Sequence, residues 1–407
     1  MVTFDVEFYQ ENKEVNGSLV TIDHEAELMN QITQKGFSPV IAISTLKTSG
    51  LTIHELDFII YAMYTEQDSR LAGSQYYVDM EELALDRIAV FEKRFIFNTT
   101  IQNIMNSIIR RPNRTYTEHY GVSTALLLNN EIFGLTRADY EAIPSSKKSK
   151  TLDFSNAMLS STGVKFVITE AKGVSDIDAN INAQAKSIIE KKKQSNATNI
   201  ANTLFYGVIA RIPYSDQPSN GLLTVVDPES PFKIDIDPLK FKLQTRLRYY
   251  INRIQLFGNT KQIKELLNVL REMIEVDSRN WQERYTSLVR RAELDYKINP
   301  FNYLCTYIEL DGRIIGRLFK NETSENHEYL FYGFYEKILE TLENPTIENV
   351  NNMKYELQYN VALEDIEMHY KYYNPTIELD SFKASGFVNI YETGEVLGLF
   401  KRNIGNA

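Results

Sequence analysis

Glu170 and Lys172 stand two positions apart at the end of the run Val164-Lys-Phe-Val-Ile-Thr-Glu-Ala-Lys, and Asp153 precedes them in Thr151-Leu-Asp-Phe. Hydrolysis of a phosphodiester needs charge stabilisation on the scissile phosphate and an activated water. Two carboxylates sharing a divalent cation, with a lysine ammonium beside them, can supply both. Side chains two apart on a strand share one face, so a strand over 164–172 projects Glu170 and Lys172 together and turns Ala171 away. Asp153, early on a preceding strand, reaches the same end of the ladder if Ser160-Ser-Thr-Gly is the turn between the two. Charged groups on an otherwise apolar strand are costly to bury unless they meet a metal or one another. Glu-X-Lys is a common tripeptide, however, and Glu170 and Lys172 also read as a surface ion pair at a solvated strand end.

The elements around these residues have a definite order. From Tyr116 to Gly134 apolar residues recur at helical spacing, and the glycine suits a C-cap. A polar loop with Lys147, Lys148 and Lys150 follows, then strands over 151–159 and 164–172. Helical periodicity from Asp178 to Lys193 sets Ile181, Ala185, Ile188 and Ile189 on one face. Leu204 to Ile212 is a nearly continuous apolar run, as in a buried strand. The order is helix, hairpin, helix, strand.

With its motifs Lys150-Thr-Leu-Asp-Phe, Val167-Ile-Thr-Glu-Ala-Lys-Gly and Asn182-Ala-Gln-Ala-Lys, this stretch resembles the PD-(D/E)XK nuclease superfamily, which includes restriction endonucleases, recombination and repair nucleases and defence effectors. The resemblance covers roughly 116–213, and Leu152 stands where the family has its proline. It implies an α/β fold with a restriction-endonuclease-like mixed sheet flanked by helices. It also implies Asp153 and Glu170 as ligands of Mg²⁺, with Mn²⁺ as a substitute, and Lys172 as the residue that orients or activates the water. Gln184 matches a glutamine that many members carry beside the site, and Glu118 an additional acidic metal ligand found in some. On their own, both also read as ordinary polar helix residues. The activity implied is a Mg²⁺-dependent endonuclease acting on DNA, in restriction or antiphage defence. Two alternatives stay open: a catalytically inactive nuclease-like binding or assembly protein, and an RNA-cleaving nuclease.

Composition sets the remaining bounds. At 407 residues, with 43% hydrophobic and 24% charged residues, the chain is long enough for several ordinary globular domains. We expect an α/β or helical region of unknown role over 1–100, the nuclease core over 101–235, and a mainly helical C-terminal domain with β-hairpins over 236–407, either flanking part being able to dock a protein partner. A net charge of −10 disfavours nonspecific coating of nucleic acid, so phosphate contacts must be local. Lys147, Lys148 and Lys150 on one side and Lys191, Lys192 and Lys193 on the other supply such a rim. The basic, aromatic stretch Lys240–Arg253 reads either as a second binding surface or as a helix with a solvated face and buried aromatics. Met1-Val-Thr-Phe-Asp-Val-Glu has no signal-peptide character, no apolar run is of membrane-spanning length, and the single cysteine, Cys305, reads as buried and inert. The chain is therefore expected in the cytoplasm, with no membrane partner. No Walker-type phosphate loop is present.

Overall fold

The computed structural model describes residues 1–16, 18–54, 57–58, 61, 95–98, 103–106, 114–142, 154–160, 163–194, 203–217, 219–226, 237–254, 261–275, 280–295, 306–310, 312–320, 328–370 and 380–403. The chain divides into two compact units, Met1–Leu135 with Asp139–Leu239, and Thr136–Ala138 with Lys240–Ala407.

The first unit is α/β. Its strands are β1 (Val2–Phe8), β2 (Gln10–Val15), β3 (Ser18–Asp23), β4 (Leu51–Ile53), β5 (Phe95–Asn98), β6 (Asn103–Asn106), β7 (Tyr140–Ala142), β8 (Phe154–Ser160), β9 (Gly163–Val174), β10 (Thr203–Arg211) and β11 (Gly221–Val226). Its helices are α1 (His24–Gln34), α2 (Ile43–Ser49), α3 (Arg114–Phe133) and α4 (Asn182–Gln194). Seven strands form one mixed sheet in the order β4-β1-β11-β10-β9-β8-β7. Strands β8 and β9 pair antiparallel, closing with Ser160 opposite Gly163, while β9 and β10 run parallel, with Gly207 opposite Glu170.

Strands β1 and β4, from the part expected as a region of its own over 1–100, belong to this sheet. Strand β1 lies between β4 and β11, parallel to β11 with Phe4–Phe8 against Gly221–Val225. The reason is burial. Val2, Phe4, Val6 and Phe8 alternate onto one apolar face, and that face is covered together with residues of α3, β9 and β10 in a single core.

Helices cover both sides of the sheet. Val167 and Ala171 of β9 share the large core with Leu126 and Leu128 of α3 and with Leu28 and Ile32 of α1. The opposite side is closed by α4 and the residue before it, where Ile181, Ala185, Ile188 and Ile189 pack with Ile209 and Val226. Helix α4 begins at Asn182, four residues later than its apolar periodicity suggests. Asp176 and Asn180 accept backbone N–H groups two residues on, at 3.1 and 2.9 Å, and Gln217 holds both Asp176 and Asp178, so this stretch is spent in local turns.

The contact between α3 and β9 is made backbone to backbone. A Cβ on Gly173 would lie 1.7 Å from the Thr117 carbonyl oxygen, and one on Gly121 would lie 2.6 Å from the Gly173 nitrogen. Only glycine permits this approach. Four residues earlier on β9, the Asn129 side-chain amide donates to Thr169 Oγ1 at 2.9 Å, and the Tyr206 hydroxyl donates to Asn129 Oδ1, so a buried polar network fixes β9 beside Glu170. Gly173→Ala is expected to push α3 away from β9 and to destabilise the first unit by about 1–3 kcal/mol. Urea unfolding would measure it; an unchanged midpoint would mean that the helix is free to shift.

The second unit contains helices α5 (Pro238–Ile254), α6 (Lys261–Glu275), α7 (Trp281–Asp295), α8 (Glu336–Glu343) and α9 (Ile347–Asn352). Its strands are β12 (Thr306–Glu309), β13 (Arg313–Lys320), β14 (Glu328–Tyr335), β15 (Gln358–Tyr370), β16 (Asp380–Ile390) and β17 (Glu395–Arg402). Helices α5, α6 and α7 fall in the segment expected to be mainly helical. The hairpins differ from expectation: they merge into one antiparallel sheet of six strands, β12-β13-β14-β17-β16-β15, so this unit is as much sheet as helix. The cause is the pairing of β14 with β17, which joins hairpins from opposite ends of the segment.

Inside this unit Glu395 is 2% exposed. Its carboxylate accepts from Arg137 Nη2 at 2.9 Å, Tyr332 Oη at 2.6 Å, Thr393 Oγ1 at 2.7 Å and the Tyr249 hydroxyl, with Arg253 Nε at 3.4 Å. Burial alone would push this carboxyl up; the Arg137 and Arg253 guanidiniums and the Tyr249 and Tyr332 hydroxyls outweigh it and bring it down to about 2. Among the described residues no helix is long and apolar enough to cross a membrane.

Candidate active site

The candidate site lies on the α4 side of β9. Because Val167 and Ala171 enter the core beneath α3 and Thr169 bonds to Asn129, the alternate residues Glu170 and Lys172 face the other way, toward α4. Glu170 is fully buried, and its Oε1 is contacted by the ammonium of Lys172, as their shared strand face predicts.

A second ammonium meets the same oxygen. Lys191 Nζ, from α4, donates to Glu170 Oε1 at 2.5 Å with the lysine side chain only 17% exposed. Lys191, expected with the other lysines in a phosphate-binding rim beside the site, is thus paired with the carboxylate. The helix explains the difference: Gln184, Ile188 and Lys191 follow one another at helical spacing, Ile188 is buried against the sheet, and the stripe therefore points inward. That spacing was readable in the sequence, but nothing local identifies the carboxylate that Lys191 would meet.

Gln184 lies on the same stripe, and its Oε1 is a buried oxygen without a hydrogen-bond partner among the described residues. Glu118 is exposed on α3, the helix that covers the other face of β9, although its neighbour Thr117 abuts Gly173. Asp153, Lys147, Lys148, Lys150 and Cys305 lie outside the described residues, as do the side chains of Lys192 and Lys193, whose backbone is in α4. The ladder reaches the immediate neighbours of the proposed pair: Phe154, the residue after Asp153, is opposite Thr169, the residue before Glu170.

A fully buried carboxylate and a buried amide oxygen without a partner are hard oxygen donors, the kind that suits Mg²⁺ or Mn²⁺. Among the described residues no group of three or more His, Cys, Asp or Glu side chains is placed to hold a metal ion. The donors fit the ion in chemistry.

The basic stretch on α5 is not a phosphate surface at three of its cations. Lys242, Arg246 and Arg253 are buried, with Arg246 Nη1 donating to the Val350 and Met353 carbonyls at 2.9 and 2.8 Å and Arg253 committed to Glu395. They hold the second unit together. Comparison of the chain with protein-family models, with curated proteins and with solved structures gives no match.

Proposed function

We propose that the first unit is a metal-dependent nuclease of the PD-(D/E)XK type that hydrolyses DNA phosphodiester bonds, with restriction or antiphage defence as its setting. The observation that carries this reading is the buried Glu170 carboxylate with Lys172 beside it on the same strand face, one ladder step beyond the Phe154–Thr169 pair. The succession α3, β8–β9, α4, β10, with helices on opposite faces and β10 parallel to β9, supports it as a scaffold.

Asp153 and Glu170 would hold Mg²⁺ or Mn²⁺, with Gln184 as an adjoining oxygen donor. When bound, the ion supplies positive charge against the negative charge that develops on the phosphate. The chain's own residues do the rest. Lys172 donates hydrogen bonds from Nζ, which can orient the attacking water and contact a phosphate oxygen. Asn129, through Thr169, keeps β9 in register beneath them. The lysines around 147–150 and 191–193 would hold the backbone of the substrate without reading its sequence, except that Lys191 is committed to Glu170.

The same ion pairing favours a second reading, a nuclease-like binding protein without catalysis, because Lys172 and Lys191 already neutralise Glu170. Incubation with supercoiled plasmid, linear duplex, single-stranded DNA and RNA, each with Mg²⁺, Mn²⁺ or EDTA, separates the readings. Divalent-dependent DNA cleavage is expected. Binding without cleavage under every condition selects the second reading, and cleavage of RNA alone changes the substrate.

A further inference from the structure

We infer that Lys191 is a positioning residue of this centre: a tethered cation that holds the Glu170 carboxylate while the centre is metal-free, and that a divalent ion must displace to reach the same oxygen. The inference rests on the metal-dependent reading above.

A buried carboxylate without a cation beside it is costly, yet Lys172 alone, two residues along the strand, already provides one. Lys191 arrives from a different element and meets the same atom, Oε1, at 2.5 Å. Drawing a hydrated ammonium on a four-carbon stem out of water is not the default for a helix lysine. On the same helix Lys186 keeps its side chain 76% exposed, with Glu190 at 4.0 Å. The helix thus has a solvent-facing lysine position, and Lys191 does not occupy it. Instead it shares the inward stripe with Gln184, whose Oε1 is buried and has no hydrogen-bond partner among the described residues.

Two ammoniums on one oxygen leave no room for a third cation there. A divalent ion approaching Oε1 meets like charge a few ångströms away, in surroundings that screen poorly. The flexible stem lets Lys191 withdraw, and it is then free to contact a phosphate. In this scheme the helix keeps Glu170 oriented before the ion binds and yields the oxygen when it does.

The experiment is a calorimetric titration of the full chain with Mn²⁺, without nucleic acid, for the wild type and for Lys191→Met, Lys191→Arg and Lys186→Met. Lys191→Met is expected to bind Mn²⁺ about tenfold more tightly, since a competing charge is removed. Lys191→Arg, which keeps the charge, stays near the wild type, and so does Lys186→Met. Thermal unfolding gives an independent reading: in EDTA the Lys191→Met variant unfolds below the wild type, and saturating Mn²⁺ closes the gap. If the wild type binds Mn²⁺ and a folded Lys191→Met binds it equally or more weakly, Lys191 is a structural ion-pair partner only and the inference is overturned. If neither binds Mn²⁺, the metal-dependent reading fails and the inference with it, so the wild-type titration tells the two failures apart. Should Lys191→Met not fold, Lys191→Gln is judged by the same criterion.

Discussion

Lys172→Met, Glu170→Gln and Asp153→Asn are each expected to lower divalent-dependent cleavage by roughly a thousandfold or more while the first unit stays folded. Near-isosteric replacements are preferable to alanine, because truncating Glu170 would leave Lys172 and Lys191 facing a cavity in the interior. The three differ in how they fail. Losing either carboxylate weakens metal binding, so higher Mn²⁺ should recover part of the rate. Losing Lys172 would remove the group proposed to orient the water, so saturating metal should recover little. Cleavage and Mn²⁺ titrations on the same preparations distinguish these outcomes. Undiminished cleavage by Lys172→Met would sink the catalytic assignment, whatever the carboxylate variants do.

The second large effect lies in the other unit and is one of stability. Glu395→Gln leaves Arg137 and Arg253 buried without their counter-charge and is expected to cost about 3–5 kcal/mol. Acid should reproduce part of this loss. A carboxyl held at about 2 against an ordinary 4.5 contributes about 3 kcal/mol of stability. Because the folded value is the lower one, that contribution is fully present above pH 4.5 and is lost as the pH falls toward 2. The single tryptophan, Trp281, is buried in α7 of the same unit and reports its unfolding by fluorescence. Urea midpoints between pH 2 and 6 should fall steeply for the wild type and more shallowly for Glu395→Gln; parallel curves would show that Glu395 is not the titrating group. Burial holds the Tyr249 hydroxyl up at about 12, so this donor stays protonated throughout that range.

The periodic features of this chain were legible because they depend on backbone geometry within one element. Alternation along β9 is enough to put Glu170 and Lys172 on one face, and the turn at 160–163 is enough to fold β8 back along it. The helices over 114–133 and 182–194 follow from apolar residues recurring with the helical turn. What lay beyond the sequence were meetings between segments far apart in the chain. Strand β1 joins β11 more than two hundred residues away, Arg137 finds Glu395, and Lys191 turns from solvent to Glu170. Local pattern states that an apolar face or a charge must be satisfied; it does not name the partner. That choice is made by which distant surfaces can be buried together, and so the tertiary structure decided that β1 joins the sheet and that a helix lysine meets Glu170.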